Sequence, residues 1–390
     1  MMNSKILFVL LILLIFINSN ECNIIKNSNV IATTSSVYKD VASNYPKDYI
    51  DYDNTILSKL NWTSQDYIRI VRYIDSGRFS TVFEGKMSKS YASNDYNKNR
   101  YINEKYDNIS VVLKVLKPTF IGKIKREIRM LEILKDNEGI IKLLGVSKNS
   151  GCQTVTLIFE SLGRNVHWLS HHARSLSSFE IQILFYKLLK AIKSCHSRGI
   201  MHRDIKPRNV IYKGRGSSCI LKIIDLGLSD FYFPKREYNP SVASRHYKCP
   251  ELLVEYAYYD YGVDIWSAGC ILAGLVFCTE PFLNGADSMD QLSCIAAVVG
   301  SDAILKWAVK FAIPLNKALR TAIGSYPKTS LNDFITSSNK ALCTPEVIDL
   351  IEKMLVVDHT ERITVDECLE HPYFDKVKHY LGNNKNIEYP

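Results

Sequence analysis

The pattern of apolar and polar residues divides the chain near position 160. Before this position, short apolar or alternating runs are typical of β-strands, and they fall at 67–74, 81–85, 110–116 and 155–159. One amphipathic helix is predicted over 123–134, where apolar residues recur every three or four positions. The first part of the chain is therefore rich in strands.

After position 160 the pattern becomes helical. The clearest segment is 178–196, whose apolar residues lie at spacings of three and four. Two later segments, 262–280 and 345–356, show the same spacing. A strand-rich part followed by a helix-rich part predicts an α+β fold.

The first residues have the proportions of a signal peptide. Lys5 precedes an unbroken apolar run over 6–17, and polar residues follow at once. The run is shorter than the roughly 20 apolar residues that span a bilayer. We therefore expect residues 1–22 to be a signal peptide that is cleaved near Ser19 and directs the chain to the secretory pathway. The alternatives are an uncleaved anchor, or a wrongly assigned start codon and an intracellular protein.

Two further segments lack strong periodicity. Residues 23–64 are polar and are predicted to form an arm before the folded domain. Residues 86–109 are rich in Asn, Lys, Ser and Tyr and are predicted to form a mobile surface insertion. The folded domain is expected over 65–375, in two parts that meet after residue 160, and residues 376–390 form a tail.

Composition and charge narrow the class of protein only slightly. The 390 residues are 46% hydrophobic and 23% charged, as in globular domains. The net charge of +9 suits an acidic peptide, a phosphate or a nucleic acid, but a plain surplus of surface lysines explains it equally well. The ten cysteines include no CxxC pair, so a zinc site is not expected.

Residues 202–209 carry the strongest chemical motif, His-Arg-Asp-Ile-Lys-Pro-Arg-Asn. This motif matches the catalytic loop of protein kinases. In such a loop Asp204 orients the substrate hydroxyl and accepts its proton, and Asn209 holds a magnesium ion. The resemblance also implies that Lys206 lies near the γ-phosphate of ATP.

Three more residues fit phosphoryl transfer, which depends on positioning and charge neutralisation. Asp225 follows two apolar residues in Ile-Ile-Asp-Leu-Gly and would bind magnesium, while the glycine permits the turn behind it. Lys114, in Val-Val-Leu-Lys, fits the strand that presents a phosphate-binding lysine. Glu127 on the following helix is the carboxylate expected to hold that lysine in place.

The loop expected to cover the phosphates is the weakest match. Of the three glycines that would let backbone approach the phosphates, Gly77 remains, and Ser80 stands at the third position. Asp75 stands at the first position, where a carboxylate pointing inward would repel triphosphate.

Over residues 37–376 the chain resembles the catalytic subunit of casein kinase II. The resemblance rests on phrases that are more specific than the general motifs: Val-Tyr-Lys-Asp-Val at 37–41, Lys-Ile-Lys-Arg-Glu-Ile at 123–128, Val-Ala-Ser-Arg at 242–245, Pro-Glu-Leu-Leu-Val at 250–254 and Glu-His-Pro-Tyr-Phe at 370–374. In that family the third position of the phosphate loop is also a serine, so Ser80 is expected and Asp75 is the departure.

The resemblance implies a two-lobed protein kinase fold with a small β-rich N-lobe, 65–160, a larger helical C-lobe, 161–375, and ATP in the cleft. Apolar residues would line the adenine pocket beside the linker that follows Glu160, and these are Val82, Val112 and Ile224. Residues 37–52 resemble an arm that braces the activation segment, which implies constitutive activity.

The resemblance also implies structural and substrate-binding roles. Glu251 and Arg362 would form a buried ion pair, and Asp264 would brace the catalytic loop. Acidic residues after the target Ser or Thr would be read by a basic cluster, of which Lys125, Arg126, Arg245 and Lys248 are present. Ser241 and residues 119–122 replace further basic residues, so a weakened acidic preference is predicted, and docking of a regulatory β subunit is doubtful.

The sequence thus predicts an ATP- and magnesium-dependent serine/threonine protein kinase that acts on protein substrates with acidic sites. A catalytically inactive kinase-fold scaffold is the alternative from another class, and Asp75 and the signal peptide are its support. A third hypothesis, a nucleic-acid-binding protein, is supported by the net charge of +9 but by no sequence motif. We expect no specific nucleic-acid partner and no membrane contact beyond the signal segment.

Overall fold

The computed structural model describes most of the chain from Tyr38 onward. The described residues are 38–47, 62–77, 79–88, 108–118, 121–148, 154–163, 166–169 and 176–383. The predicted signal peptide at 1–22 lies outside the described residues. So do 23–37 and 48–61 of the predicted arm, the centre of the predicted insertion at 89–107, and the end of the predicted tail at 384–390.

The N-terminal lobe is built on a five-stranded antiparallel sheet in the order β1-β2-β3-β5-β4. Its strands are β1 Ile68–Ser76, β2 Ser80–Ser88, β3 Asn108–Leu116, β4 Leu143–Lys148 and β5 Val155–Glu160. Helix α1, Ile121–Ile133, follows β3, close to the predicted bounds. The pattern did not predict β4, because its sequence does not alternate; it is a strand because it pairs with β5.

The prediction of a surface insertion over 86–109 is wrong at both ends of that segment. Strand β2 continues to Ser88 and β3 begins at Asn108, where the two residues face each other in the sheet. Met87 is 1% exposed, because its side chain packs between strands on one face of the sheet. Backbone pairing and the burial of Met87 therefore make both ends of this segment β-strands, although its composition is polar.

The C-terminal lobe is mainly helical. Its helices are α2 Ser178–His196, α3 Pro250–Leu253, α4 Gly262–Val276, α5 Ser288–Val299, α6 Ser301–Lys310, α7 Lys317–Ile323, α8 Pro345–Met354, α9 Val365–Glu370 and α10 Asp375–Asn383. Helix α2 has the predicted bounds, and it begins at a capping box in which Ser177 and Glu180 bond each other's backbone amides. The strand-rich lobe followed by this helical lobe confirms the two-lobed α+β fold.

One predicted helix end and the predicted end of the domain differ from the structure by more than two residues. Helix α4 ends at Val276 instead of residue 280, since the chain turns at Cys278 with a φ of 55°. Helix α10 begins at residue 375, the predicted end of the domain, and buries Val377 completely. The folded part therefore extends into the segment that the sequence assigns to a tail.

Two small sheets in the C-terminal lobe hold the segments that carry the chemical motifs. One joins β6 His167–Trp168, β8 Val210–Lys213 and β9 Ile220–Ile223, and the other joins β7 Ile200–Met201 and β10 Asp230–Phe231. Residues 202–209 connect β7 to β8, and Asp225 follows β9. Among the described residues no single helix is long and apolar enough to cross a membrane, and α5 with α6 meets that length only as a pair bent by 105°.

The described part of the arm, 38–47, packs on the C-terminal lobe. Ala42 is fully buried against Gly199, where an added Cβ would lie 2.8 Å from the Ala42 nitrogen. The Tyr45 ring centroid is 5.2 Å from that of Phe231, directly after the start of β10. The Tyr45 hydroxyl donates to the Arg198 carbonyl at 3.3 Å. The arm thus contacts the segment that leads away from Asp225.

Candidate active site

A buried lysine lies between two carboxylates at the junction of the lobes. Strand β3 presents Lys114 opposite Val82 on β2, and α1 presents Glu127. The Lys114 Nζ is 2.6 Å from Glu127 Oε1 and 2.9 Å from Asp225 Oδ1. The side chains of Lys114 and Glu127 are 12% and 6% exposed, while that of Asp225 is 39% exposed and faces the cleft.

These three groups set one another's charge. Burial alone would lower the pKa of Lys114, but the charges of Asp225 and Glu127 outweigh it and raise that pKa above its ordinary value. Burial opposes ionisation of Asp225, yet the Lys114 charge and hydrogen bonds lower the Asp225 pKa to about 2. Burial raises the pKa of Glu127 despite the lysine beside it. At neutral pH Lys114 is therefore protonated and Asp225 is ionised.

The turn after β9 aims Asp225 at the cleft. The Gly227 amide donates to Asp225 Oδ1 at 3.0 Å, and Leu226 anchors the turn with 1% exposure. An added Cβ at Gly227 would lie 3.1 Å from Asp225 Oδ1 and 3.4 Å from Glu127 Oε2. A side chain at this position would therefore crowd both carboxylates.

Asp204 lies in a closed network of short hydrogen bonds. Lys206 Nζ donates to Asp204 Oδ2 at 2.7 Å and to the Ser244 hydroxyl at 2.8 Å. Ser244 Oγ in turn donates to Asp204 Oδ1 at 3.0 Å. Asn209 Nδ2 donates to Asp204 Oδ2 at 3.0 Å and to the Asp204 carbonyl at 2.9 Å, which leaves the amide oxygen as the atom available to a cation.

Asp264, which the sequence predicts to brace the catalytic loop, lies on α4 and accepts hydrogen bonds from that loop. Its Oδ2 accepts the His202 amide at 2.8 Å and its Oδ1 accepts the Arg203 amide at 2.7 Å. Burial would raise the pKa of Asp264, but a bond from His196 and the backbone amides lower it overall. These bonds stabilise the left-handed conformation of Arg203, whose φ is 64°.

The ion pair predicted beneath the activation segment lies within bonding distance. Arg362 Nη1 is 2.9 Å from Glu251 Oε1, and both side chains are 0% exposed. The guanidinium also donates to the Val356 and Gly262 carbonyls and lies 5.1 Å from the Trp266 ring centroid. Its donors therefore find acceptors although they are cut off from water.

The loop that the sequence predicts to cover the phosphates is exposed at Asp75, Ser76 and Gly77. The Gly77 amide donates to the Ser80 carbonyl at 2.9 Å, and an added Cβ at Gly77 would meet nothing within 4 Å. Lys117 Nζ donates to the Gly77 carbonyl at 2.7 Å. The Asp75 carboxylate is exposed and accepts the Ser76 amide at 2.8 Å, so it caps its own turn.

The residues predicted to surround the nucleotide lie on both sides of the cleft. Val82, Val112 and Ile224 are half-buried, on β2, on β3 and directly after β9. Glu160 ends β5, where Oε1 accepts the Lys142 amide at 2.9 Å and lies 2.7 Å from Lys222 Nζ. Its side chain therefore connects β5 with the residue before β4 and with β9, at the linker between the lobes.

The structure does not bring the four predicted basic residues into one exposed cluster. Lys125 is 4% exposed, and Arg126 is paired with Asp230 at 3.1 Å. Arg245 is exposed and donates to the Ala286 carbonyl. Lys248 is half-buried, and no described residue forms a hydrogen bond or an ion pair with its ammonium. Arg245 and Lys248 follow Ser244, whose hydroxyl contacts Asp204, by one and four positions.

Sequence reasoning missed three residues of the site. Ser244 completes the Asp204 network, and Arg203 and Asp230 form a second network beside it. Arg203 and Ser244 lie inside phrases that the resemblance already singled out, so their motifs were the available signal. Asp230 had no signal, because a lone acidic residue before apolar ones has no characteristic spacing.

A cationic lysine, a cleft-facing carboxylate and a hydrogen-bonded aspartate near an amide ligand together define a phosphotransferase site. A family model described as the protein kinase domain matches residues 69–374, most of the chain. The chain belongs to the protein kinase family. The family uses ATP and usually a divalent metal, and acts on protein substrates.

The described residues fit that cofactor. Magnesium prefers carboxylate and amide oxygens and completes its shell with substrate phosphates and water. Asp225 supplies an ionised carboxylate that faces the cleft, and Asn209 supplies an amide oxygen whose partner nitrogen is already bonded. Lys114 supplies the charge expected for the phosphates. Asp225 and Asn209 are therefore the residues that would hold the metal.

Proposed function

We propose that the chain is an active serine/threonine protein kinase of the casein kinase II type, which transfers the γ-phosphoryl of ATP to Ser or Thr followed by acidic residues. One observation carries the proposal of activity. Lys114 contacts both Glu127 and Asp225, the arrangement that kinases need before they can react. The casein kinase II character rests on the sequence phrases given above.

In the proposed mechanism, Lys114 holds the phosphates of ATP and Glu127 keeps the lysine in place. Asp204 accepts a hydrogen bond from the substrate hydroxyl and takes its proton as the hydroxyl oxygen attacks the γ-phosphorus of ATP. The bond from that phosphorus to the β–γ bridging oxygen breaks, and ADP leaves. Lys206, bonded to Asp204 in the free protein, is placed to stabilise charge on the transferring group. Magnesium, when bound, neutralises phosphate charge.

Constitutive activity is part of the proposal. The support for it is the docking of residues 38–47 beside β10, together with the ion pair between Lys114 and Glu127. We further propose that residues 1–22 direct the protein into the secretory pathway, on the strength of the sequence alone.

Selection of acidic substrates would depend on Arg245 and Lys248. Burial lowers the pKa of Lys248, and nearby carboxylates, including Asp204, only partly offset this effect. An ammonium without a described partner gains most from an incoming carboxylate. Ser241 and the buried Lys125 limit the positive charge, which supports a modest preference.

The test is phosphoryl transfer by the purified chain from Asn23 onward. Magnesium-ATP is offered with an acidic Ser peptide or a basic Ser peptide, and Asp225→Asn is the inactive control. We expect transfer to the acidic peptide that is lost in the control. Folded protein that transfers to neither peptide yet binds nucleotide would instead establish the scaffold alternative.

A further inference from the structure

Two arginines from different parts of the kinase domain converge on one buried carboxylate. Arg126 on α1 donates from Nη1 to Asp230 Oδ2 at 3.1 Å, and Arg203 donates from Nη2 to the same oxygen at 3.0 Å. The other oxygen, Oδ1, accepts the Phe231 amide at 3.0 Å. Asp230 is 7% exposed, so water competes little for these charge-assisted bonds.

The Asp230 network joins three elements that carry reactive groups. Arg126 directly precedes Glu127, and Arg203 directly precedes Asp204. Asp230 begins β10, a few residues after Asp225. Helix α1 is therefore hydrogen-bonded to a carboxylate that the catalytic loop also binds.

Within this network the Arg203 guanidinium makes further hydrogen bonds, whereas the Nε of Arg126 makes none among the described residues. Arg203 also donates from Nε to the Leu228 carbonyl at 2.7 Å and from Nη1 to the Tyr259 hydroxyl at 3.1 Å. Arg126 Nε has no hydrogen-bond partner among the described residues. The described bond that ties the Arg126 side chain to the other lobe is the one to Asp230.

We propose that Asp230 is a positioning residue that holds α1 in place through Arg126 and so keeps Glu127 on Lys114. Arg126 then acts through Asp230 and does not read acidic residues of the substrate. The proposal rests on the proposed kinase function. The carboxylate is permanently charged, so the network needs no added phosphate on the activation segment to form.

The experiment compares Asp230→Asn, Arg126→Gln and the double variant on the acidic and basic Ser peptides. Because charge-assisted bonds are lost, we expect each single variant to lower kcat about tenfold on both peptides. The ratio of the two KM values should stay unchanged. The double variant should be no slower than Asp230→Asn, since loss of the Asp230 charge already breaks the connection to Arg126.

The matched control is Lys135→Gln, which removes an exposed cation just after α1. It should leave kcat unchanged, and Asp230→Glu should restore part of the activity. A raised KM for the acidic peptide alone in Arg126→Gln would overturn the proposal and make Arg126 a substrate-reading residue. Fully additive losses in the double variant would also overturn it. If Asp230→Asn does not fold, Arg126→Gln alone decides between these outcomes.

Hydrogen exchange separates failure of this proposal from failure of the proposed function. Amide protection of 121–133 is measured in the unmodified protein and in Arg126→Gln, without substrate. Faster exchange in the variant supports the positioning role even if neither protein transfers phosphate. Equal exchange, with an active unmodified protein and an unchanged kcat, would refute the role of Asp230 and leave the kinase function intact.

Discussion

At the scale of single residues, the site depends on charges that would be unfavourable if they were buried apart. Lys114 is 12% exposed and Glu127 is 6% exposed, so each needs the other to remain in the cleft. Asp225 adds a second carboxylate that the same ammonium stabilises. Chemistry and local stability therefore depend on the same atoms.

Replacing the central cation tests the chemical part of this statement. Lys114→Met should lower kcat roughly 10²–10³-fold, because the charge aimed at the phosphates is lost while most of the side-chain volume stays. The measurement is steady-state phosphoryl transfer with magnesium-ATP. Lys148→Met, at an exposed position on β4, is the matched control and should keep full activity.

The lowered pKa of Asp225 predicts a dependence of stability on pH. A carboxylate with a folded pKa of about 2, below its ordinary 3.8, stabilises the protein above pH 4 and loses that contribution as the pH falls toward 2. The difference in unfolding free energy between the unmodified protein and Asp225→Asn should therefore shrink from pH 5 to pH 3. Urea unfolding at both pH values measures it, and a constant difference would contradict the assignment.

At the scale of elements, residues 38–47 pack against β10, a few residues after Asp225 in the chain. The ring centroids of Tyr45 and Phe231 are 5.2 Å apart, and the Tyr45 hydroxyl donates to the Arg198 carbonyl at 3.3 Å. Ring packing is thus the larger part of the contact, and the hydroxyl the smaller part.

Tyr45→Ala should lower the unfolding free energy by about 1–2 kcal/mol and kcat severalfold, because the arm loses its contact with β10. Tyr45→Phe keeps the ring and should lose little of either quantity. Urea unfolding and peptide phosphorylation test both variants. Equal activity of the two variants would show that the arm does not support the activation segment.

At the scale of the whole molecule, the helical lobe provides the rigid base on which the cleft is built. Glu251 and Arg362 lie far apart in the sequence, and their side chains are 0% exposed. Glu251→Gln should cost about 3–5 kcal/mol of unfolding free energy, since a buried guanidinium would remain without its counter-charge. Thermal and urea unfolding measure the loss. Glu255→Gln, an exposed position beyond α3, serves as the control and should change stability little.

Substrate selection is also a property of the whole molecule, because two factors would contribute to it. One is the net charge of the protein, and the other is the position of single cations such as Lys248. Lys248→Met should raise KM for the acidic peptide about tenfold and leave KM for the basic peptide unchanged. Added salt should weaken the acidic preference of the unmodified protein through screening. Lys306→Met, exposed on α6, keeps the same net charge as the variant and should behave like the unmodified protein. Equal effects of both variants would leave the preference to net charge alone.

The sequence by itself determined the lobes, helix α2 and the identity of the reactive groups. Apolar periodicity is a local property, so helices and strands with strong patterns could be predicted within a few residues. The motifs at 202–209 and 223–227 could be read because kinase chemistry requires those residue types in that order. The same reasoning could not find β4, whose existence depends on pairing with β5 rather than on its own pattern.

Only the tertiary structure decided which charges meet. It brought the Ser244 hydroxyl within hydrogen-bonding distance of the Asp204 carboxylate, although 40 positions separate the two residues in the chain. It also paired Arg126 with Asp230, 104 positions away, and thereby gave an expected substrate-binding arginine a different partner. Such contacts have no local signature, because burial and the packing of the two lobes select the partner of each charge.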